Sequence, residues 1–300
     1  MGVSPYDLDL IHTGIDLVMK VQADQGKIVL GRIAPKESTR EGYKRVQRTT
    51  GFRNAQVYDR GAPIESSRKE NLDLKDYYPL LWALGWDVYD YDSDEDVYKI
   101  IPQNVTDAAL SMMRTQDIEE CGLFNNGFDT NFNIVDGQPL FSTAHTGATG
   151  VATQSNRPAS GNSLDAEAVE AMWALLRGQT DFNGEKLYMT GSFEAWTGST
   201  LAPLMWRIIE TEFQAGTPDN DKSYVHTNFR AMESPQLSST TAHYYKTADD
   251  TLHKLRMIEF SPYTVKNLPM KDDLSEKTVV YHRRRAVAED WHYTAADPGA

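Results

Sequence analysis

The feature that most constrains the fold is a polar, basic segment, residues 32–69, that has few large aliphatic side chains. It carries ten basic residues against four acidic ones. A segment of this composition cannot build a core of its own, so it is either disordered or an extended arm. Gly61-Ala62-Pro63 is a turn signal. The sequences on either side, residues 52–59 and 76–92, are rich in β-branched and aromatic residues and are predicted to form the limbs of a long hairpin.

A hairpin without a core must rest on another surface. Its apolar side chains cannot all be buried within it, and they include Tyr58, Ile64, Leu72 and Leu74. The sequence therefore predicts that this segment lies on a neighbouring molecule.

The charge of the chain is divided between two regions. Residues 87–96 contain six acids and no base, and the chain as a whole has a net charge of −13. A basic patch can indicate nucleic-acid binding, but the overall acidity argues against a general DNA-binding protein. Two oppositely charged segments favour self-association instead, because the basic end of one copy can meet the acidic end of another. The predicted subunit-interface residues are Lys36, Arg40, Lys44, Arg45, Arg48, Arg53, Arg60, Asp90, Asp92, Asp94 and Asp96.

The rest of the chain mixes helices and strands without a regular alternation. Apolar periodicity and end signals predict helices over 104–123, 164–178 and 199–216, and strands over 186–191, 255–261 and 277–293. Helices and strands interspersed in this way indicate an α+β fold.

The segment "DGQPLFSTAH" holds the residue types of a nucleophile triad, Asp136, Ser142 and His145. No G-x-S-x-G elbow surrounds the serine. At a strand end, side chains three residues apart point to opposite faces. The alternative interpretation is a turn at Asp136-Gly137 followed by a buried strand at Leu140-Phe141, and it is favoured over a hydrolase. The polar residues 146–163 that follow are predicted to be a mobile surface loop that tolerates shortening.

No metal or cofactor site is indicated. The acidic run "DYDSDED" lacks the glycine and the final glutamate of a calcium loop, since Glu95 and Ile101 occupy those positions. The seven histidines lack ligand spacing, and the lone Cys121 excludes a cysteine-based cluster. No phosphate-binding glycine loop is present. No apolar run has the length of a membrane helix. The sequence thus predicts a protein that is not an enzyme.

Three segments resemble the Mu-type major head subunit family of tailed phages. "DGQPLFSTAH" is similar to that family's D-G-x-x-L-F-s-x-x-H segment, and "IIETEFQAGTPDNDKSYV" is similar to its helix followed by "GTxDND". The third is the C-terminal "KTVVYHRRRAVAEDWHYTAADPGA", a basic strand and an aromatic strand before a tail of small residues. The resemblance covers most of the chain from about residue 53 onward.

The resemblance implies an α+β fold of the Hong Kong 97 capsid type. The implied parts are an N-terminal arm over 1–38, an extended loop over 39–100, a peripheral domain over 101–163 and 275–300, and an axial domain over 164–274. The long spine helix of this fold would be the one predicted at 104–123.

The implied function is that of a major capsid protein. Its copies would form hexamers and pentamers of an icosahedral shell around double-stranded DNA, built in the host bacterial cytoplasm and retained in the virion. A portal protein and scaffolding or decoration proteins are the implied partners. No membrane association is implied. Two alternatives are a bacterial cargo-enclosing nanocompartment shell of the same fold and, from another class, a Ser/His hydrolase.

Overall fold

The computed structural model describes residues 32–52, 54–55, 57–60, 64, 66, 69–89, 100–189, 191–212, 223–268 and 275–300. Its helices are α1 (Ile100–Asn125), α2 (Ala166–Arg177), α3 (Ala202–Glu210) and α4 (Tyr224–Asn228). The strands are β1 (Lys36–Ser38), β2 (Lys44–Thr49), β3 (Asn71–Tyr77), β4 (Leu80–Tyr89), β5 (Phe193–Thr197), β6 (Phe229–Glu233), β7 (His243–Thr247), β8 (Leu255–Leu268), β9 (Ser275–Ala288) and β10 (Thr294–Asp297). The predicted α+β class is confirmed. No described helix has the length and apolarity that spanning a bilayer requires.

The chain divides into two compact units. Unit 1 takes in residues 1–44, 77–120 and 256–286, and unit 2 takes in residues 45–76, 121–255 and 287–300. Each unit is therefore assembled from three stretches of chain that are far apart in sequence.

Unit 1 is a sheet with a helix packed on it. The strand order is β1-β8-β9-β4, with β1 parallel to β8 and β4 antiparallel to β9 along its whole length. Ala109 and Met112 lie one turn apart on α1 and pack with Val280 of β9. Leu84 and Trp86, on alternate positions of β4, complete this core.

Two charged groups fix α1 to the sheet of unit 1. Glu119 accepts hydrogen bonds from Arg284 Nε at 3.0 Å and from the backbone nitrogen of Ala286 at 2.9 Å. Arg284 also donates to the side chain of Gln116. A paired and hydrogen-bonded carboxylate can be buried at a tolerable cost, and both partners here are largely buried.

Unit 2 is built on a second sheet, ordered β10-β7-β5-β6. β5 is parallel to β6 and antiparallel to β7, and β10 is antiparallel to β7. The core beneath it joins Val169, Met172 and Leu176 of α2 with Phe193 and Tyr245 of the sheet. Asp165 caps α2 by accepting the backbone nitrogen of Ala168 at 2.7 Å.

The last residues of the chain are part of this sheet. All four residues of β10 are buried. Asp297 accepts hydrogen bonds from the backbone and the side chain of Asn162. The backbone of Gly299 lies so close to Gly161 that a Cβ on Gly161 would be 1.8 Å from the Gly299 carbonyl oxygen. The C-terminal segment is thus locked into unit 2.

The predicted pairing of the hairpin is wrong. The two-stranded sheet is formed by β2 and β3, whereas the described residues between 52 and 59 are outside any strand and β4 pairs with β9. A turn signal indicates only that the chain reverses, so the partner of β4, nearly two hundred residues away, could not be found from local sequence. The predicted strand at 186–191 is also wrong, because the described part of it has only an isolated bridge from Lys186 to Thr180.

The predicted helices agree with the structure better than the predicted strands do. α1 contains the predicted span 104–123 and extends it at both ends, and α2 lies inside the predicted span 164–178. The expected domain limits are not those of the two units. Residues 121–163, expected in the peripheral domain, belong to the same unit as residues 164–255. Residues 1–31, which contain most of the expected arm, lie outside the described residues.

Candidate assembly surface

Large apolar side chains are exposed along one stretch of the chain. Of the thirteen exposed large hydrophobic residues that the structure describes, eight fall between residues 52 and 81. They are Phe52, Val57, Tyr58, Ile64, Leu74, Tyr78, Leu80 and Leu81. Single exposed apolar side chains are ordinary, but five of these lie in unit 2 (Phe52 to Leu74) and three in unit 1 (Tyr78 to Leu81), so each unit has a candidate interaction surface of its own.

The local structure explains why these side chains stay uncovered. Among the described residues β2 pairs only with β3, and no third strand joins this two-stranded sheet. On β4, alternate residues face the core of unit 1 through Leu84 and Trp86, while Leu81 is 66% exposed. The expectation that Tyr58, Ile64 and Leu74 find no cover within the chain agrees with their exposure. The signal that sequence analysis missed is the Leu80-Leu81 pair at the start of β4.

The predicted basic interface residues fall into two groups. Lys36 bonds Glu259 at 2.8 Å, Lys44 bonds Glu37, and Arg45 binds Asp76 through two hydrogen bonds of 2.8 Å. Arg40 and Arg60 are exposed. The paired residues are thus already neutralised within the chain by acidic side chains of β1, β3 and β8.

Arg48 differs from the other basic residues because it is buried. Its Nη1 lies 3.2 Å from Asp73 Oδ2, and its Nη2 donates to the backbone oxygen of Thr146 at 2.8 Å. The guanidinium also stacks over the ring of Phe182. Placing Arg48 on a subunit interface was wrong, since its side chain is only 2% exposed. Arg53, Asp90, Asp92, Asp94 and Asp96 lie outside the described residues, so their part in an interface stays a prediction.

The segment that raised the question of catalysis is a folded turn. Gly137 has a positive φ of 76°, and Gln138 N donates to Asp136 Oδ1. The predicted turn at Asp136-Gly137 is confirmed, and Leu140 and Phe141 are buried as expected. They are not a strand, because this stretch has only an isolated bridge between Asn133 and Pro139.

The two ring nitrogens of His145 are both engaged. Nδ1 lies 2.7 Å from Asp136 Oδ2, and Nε2 lies 3.1 Å from Asn156 Oδ1. Neither nitrogen is left to take a proton from Ser142, whose hydroxyl accepts the backbone nitrogen of Ala144. His145 is also completely buried, which keeps substrate away from it. The expectation of opposite faces rested on strand geometry that this turn does not have.

The predicted surface loop is held by a buried amide. Asn156 is fully buried; its Oδ1 accepts from Ser142 N, and its Nδ2 donates to Leu140 O at 2.8 Å. His145 and Gln154 bridge across the same loop through two backbone hydrogen bonds. Residues 146–163 form a surface loop as predicted, with Asn156 as its one buried residue; the mobility of the loop and its tolerance to shortening stay predictions.

A groove of about 630 Å³ lies beside β6 in unit 2. Met205, Trp206 and Arg207 of α3 line one side, and Met232 and Glu233 of β6 line the other. It combines apolar contact area with one charge of each sign. No His, Cys, Asp or Glu group among the described residues is arranged to hold a metal ion.

Comparison with known proteins gives matches in structure and none in sequence. No protein-family model matches the chain, and no curated protein matches it. The Mu-type family therefore stays a resemblance carried by the three segments.

The structural matches span most of the chain. A virus-like particle protein from Pyrococcus furiosus aligns with a TM-score of 0.57 at 10% identity, covering 98% of this chain and 99% of that one. The mature capsid of bacteriophage PhiM1 aligns with a TM-score of 0.56 at 10% identity, covering 88% and 85%. The SrpI encapsulin of Synechococcus elongatus aligns with a TM-score of 0.51 at 10% identity, covering 88% and 84%. With its α+β architecture, this chain has the Hong Kong 97-type fold of phage capsids and encapsulins.

Proposed function

We propose that this chain is the building block of a closed protein shell, the head of a tailed phage that encloses double-stranded DNA. The observation that carries the proposal is the group of exposed apolar side chains between residues 52 and 81, in a chain whose fold is shared with shell-forming proteins.

The physical argument follows from how that group is placed. Phe52, Ile64 and Leu81 are more than half exposed, and burying such side chains stabilises a contact by about 25 cal/mol per Å². A surface that fits a different patch on the next copy makes a head-to-tail contact. Contacts of that kind close into rings when the rotation permits. Hexamers and pentamers in an icosahedral shell are the rings expected of this fold.

The nanocompartment alternative has specific support, because the encapsulin of Synechococcus elongatus shares the fold. The Pyrococcus furiosus particle protein matches over almost the whole of both chains. The phage head is preferred because the three sequence segments resemble a head subunit family. Portal, scaffolding and decoration proteins are the partners we propose with it, and assembly would take place in the bacterial cytoplasm.

The hydrolase alternative is not favoured. The buried contacts of His145 with Asp136 and Asn156 serve to hold a turn. A fluorophosphonate probe tests this point, and we expect no label on Ser142.

The deciding experiment is electron microscopy of particles from cells that produce the chain, with nuclease treatment before purification. Uniform closed particles that protect long double-stranded DNA support the phage head. Uniform particles with enclosed protein and no DNA support the nanocompartment. A chain that remains monomeric in the cell and at high concentration with its exposed apolar segment intact contradicts both.

A further inference from the structure

One face of the unit 1 sheet points away from helix α1. Val280 of β9 and Val265 of β8 pack towards α1, and successive side chains of a strand alternate between the two faces of a sheet. The residues next to them in sequence therefore lie on the opposite face. The basic residues on that face include Lys266 of β8 and Lys277, Arg283 and Arg285 of β9. We call these four residues the basic face.

The charges of the basic face are open to solvent. Lys266 and Arg283 are exposed, and Lys277 and Arg285 are partly exposed. Asp87, opposite Lys277, is the one acidic residue that the described parts of β4, β8 and β9 place on this side of the sheet. One carboxylate cannot cancel four cations, so the face keeps an excess of positive charge.

The groups that hold two of these side chains carry no charge. Arg285 donates to the backbone oxygen of Tyr78 at 3.0 Å and lies over the ring of Tyr77, 5.8 Å from its centroid. Lys266 Nζ lies 5.6 Å from the centroid of the Tyr281 ring. A carbonyl oxygen or a ring face orients a cation without neutralising it. Both charges are therefore held in position and remain available to a partner.

The basic residues of β1 and β2 give the contrast. Lys36, Lys44 and Arg45 each lie against a carboxylate of the same chain, so their charges are cancelled locally. The basic face keeps its charge in a chain whose net charge is −13. Positive charge that the chain leaves uncancelled in one place fits a partner that carries many negative charges.

The length and flatness of the basic face indicate which polyanion it fits. Lys277 and Arg285 are eight residues apart on β9, which is about 27 Å at about 3.4 Å per residue. Duplex DNA carries one charge per about 1.7 Å of its axis, so a segment of this length presents about 16 phosphate charges. Base edges are read from within a groove by a helix or a ribbon, whereas side chains on a flat sheet face meet phosphates.

We propose that the basic face binds the phosphate backbone of double-stranded DNA without reading its sequence. The proposal rests on the proposed function, because the DNA is that enclosed by the shell, and it assigns the basic face to the inner side of the shell. A contact made through a few phosphates is weak and reversible, which leaves the DNA free to move as it fills the shell.

The first test is fluorescence anisotropy of a labelled DNA duplex of about 30 base pairs, mixed with the unassembled full chain at about 50 to 200 mM salt. Three or four phosphate contacts predict a slope of log K against log salt between about −2.7 and −3.6. A second duplex of unrelated sequence should bind equally well. Absence of binding at about 50 mM salt, or a strong preference for one sequence, overturns the proposal.

A double variant locates the binding surface. Lys266→Gln with Arg283→Gln removes two exposed charges from the basic face, and circular dichroism should show an unchanged fold. We expect the slope to become shallower by about 1.8, as two lost phosphate contacts require. The control Arg207→Gln with Arg230→Gln removes two exposed charges from unit 2 and should keep the slope of the unmodified chain. Equal slopes in all three chains contradict the proposal.

The other partner to be tested is the acidic segment of a second copy. A labelled synthetic peptide of residues 87–96, which contains six acids, serves as the probe. We expect it to bind the unmodified chain more weakly than the duplex does at about 50 mM salt. If the peptide binds more tightly than the duplex and the variant Lys266→Gln with Arg283→Gln abolishes that binding, the basic face joins copies of the chain and the proposal is wrong.

Failure of this proposal and failure of the proposed function give different results. Particles that protect double-stranded DNA, together with a duplex affinity that Lys266→Gln with Arg283→Gln leaves unchanged, contradict the basic face and leave the phage head intact. Particles without DNA contradict the phage head, while the anisotropy of the unassembled chain still decides whether the basic face binds a duplex.

Discussion

Residues 52–81 and residues 136–156 reverse the usual relation between polarity and burial. The first stretch exposes Ile64 and Leu81, while the second buries His145, Asn156 and the side chain of Asp136. Among the described residues β2 and β3 pair only with each other, whereas in the second stretch hydrogen bonds engage the side chains of Asp136, His145 and Asn156. Burial in this chain is thus decided by what lies opposite a side chain rather than by its own polarity.

The largest expected effect is on the buried polar stretch. Asn156→Ala removes the partners of Ser142 N, Leu140 O and His145 Nε2 at once. Each unsatisfied buried group costs about 1–3 kcal/mol, so the free energy of unfolding should fall by roughly 3 kcal/mol or more. Urea denaturation measures it. Asn71→Ala, at an exposed position of β3, is the control and should change stability by less than about 0.5 kcal/mol. An equally small change in Asn156→Ala would show that this loop is not held by its amide.

Substitutions in the exposed stretch, residues 52–81, should impair assembly and leave the stability of the unassembled chain almost unchanged. The triple change Ile64→Thr, Leu74→Thr and Leu81→Thr keeps strand-compatible side chains but removes apolar area. We expect loss of shell assembly in sedimentation, with urea denaturation of the unassembled chain changed by no more than about 0.5 kcal/mol per site.

Tyr188→Thr tests whether removing an exposed aromatic side chain anywhere on the chain is enough to abolish assembly. This side chain is 92% exposed but lies outside the stretch. Assembly should survive in this control. Normal assembly of the triple variant would remove residues 52–81 from the interface.

The third prediction extends the comparison to His282, a buried side chain whose ring nitrogens have no hydrogen-bond partner among the described residues. Burial, and then the charges of Arg284 and Lys36, lower the pKa of His282 to about 3. The unfolded chain binds a proton at this residue below about pH 6.5, whereas the folded chain does not until about pH 3. Stability should therefore decrease as the pH falls through this window, by at most about 2 kcal/mol between pH 6.5 and pH 5.

His282→Gln removes the titration and should flatten this part of the profile. The comparison requires urea midpoints of both chains at about pH 7 and pH 5. If the two chains lose the same stability, the acid sensitivity has another source.

The smallest effect concerns the surface charges. Arg40→Glu and Arg60→Glu reverse two exposed basic residues that were predicted to meet acidic residues such as Asp92 and Asp94 of a neighbour. Exposed pairs are each worth roughly 0.2–1 kcal/mol, so assembly should weaken and become less sensitive to salt. Adding Asp92→Lys and Asp94→Lys should restore part of it. Light scattering at low and high salt measures assembly of the reversed and the compensated variants. Unchanged assembly of Arg40→Glu and Arg60→Glu at low salt would show that these arginines lie away from the contact.

Sequence reasoning succeeded where a structure depends on neighbouring residues. Helix α1 was found because Ala109, Met112 and Met113 repeat at helical spacing, and all three are buried. The turn at Gly137 was found because glycine tolerates its positive φ.

It failed where the partner is distant or the contact is a hydrogen bond. The pairing of β4 with β9 leaves no local signal, and neither does the bond from Arg48 to Thr146 O. Composition identified residues 32–69 as polar and basic, but only the fold shows that one of their arginines, Arg48, is buried. The exposed Ile64 and Leu74 could be predicted because the hairpin has too few residues to cover them.

The position of β10 has a consequence for how the molecule is made. β10 pairs with β7 and is buried along its whole length, so the second sheet lacks one of its four strands until residue 297 has left the ribosome. Chains are synthesised at about 5–20 residues per second, and domains usually fold as they emerge. Unit 2 draws on residues 45–76, 121–255 and 287–300, and so it stays incomplete until the last of these stretches has emerged. Subunits are therefore expected to become competent for binding one another only after residues 287–300 have emerged, so that chains at an earlier stage of synthesis do not yet assemble.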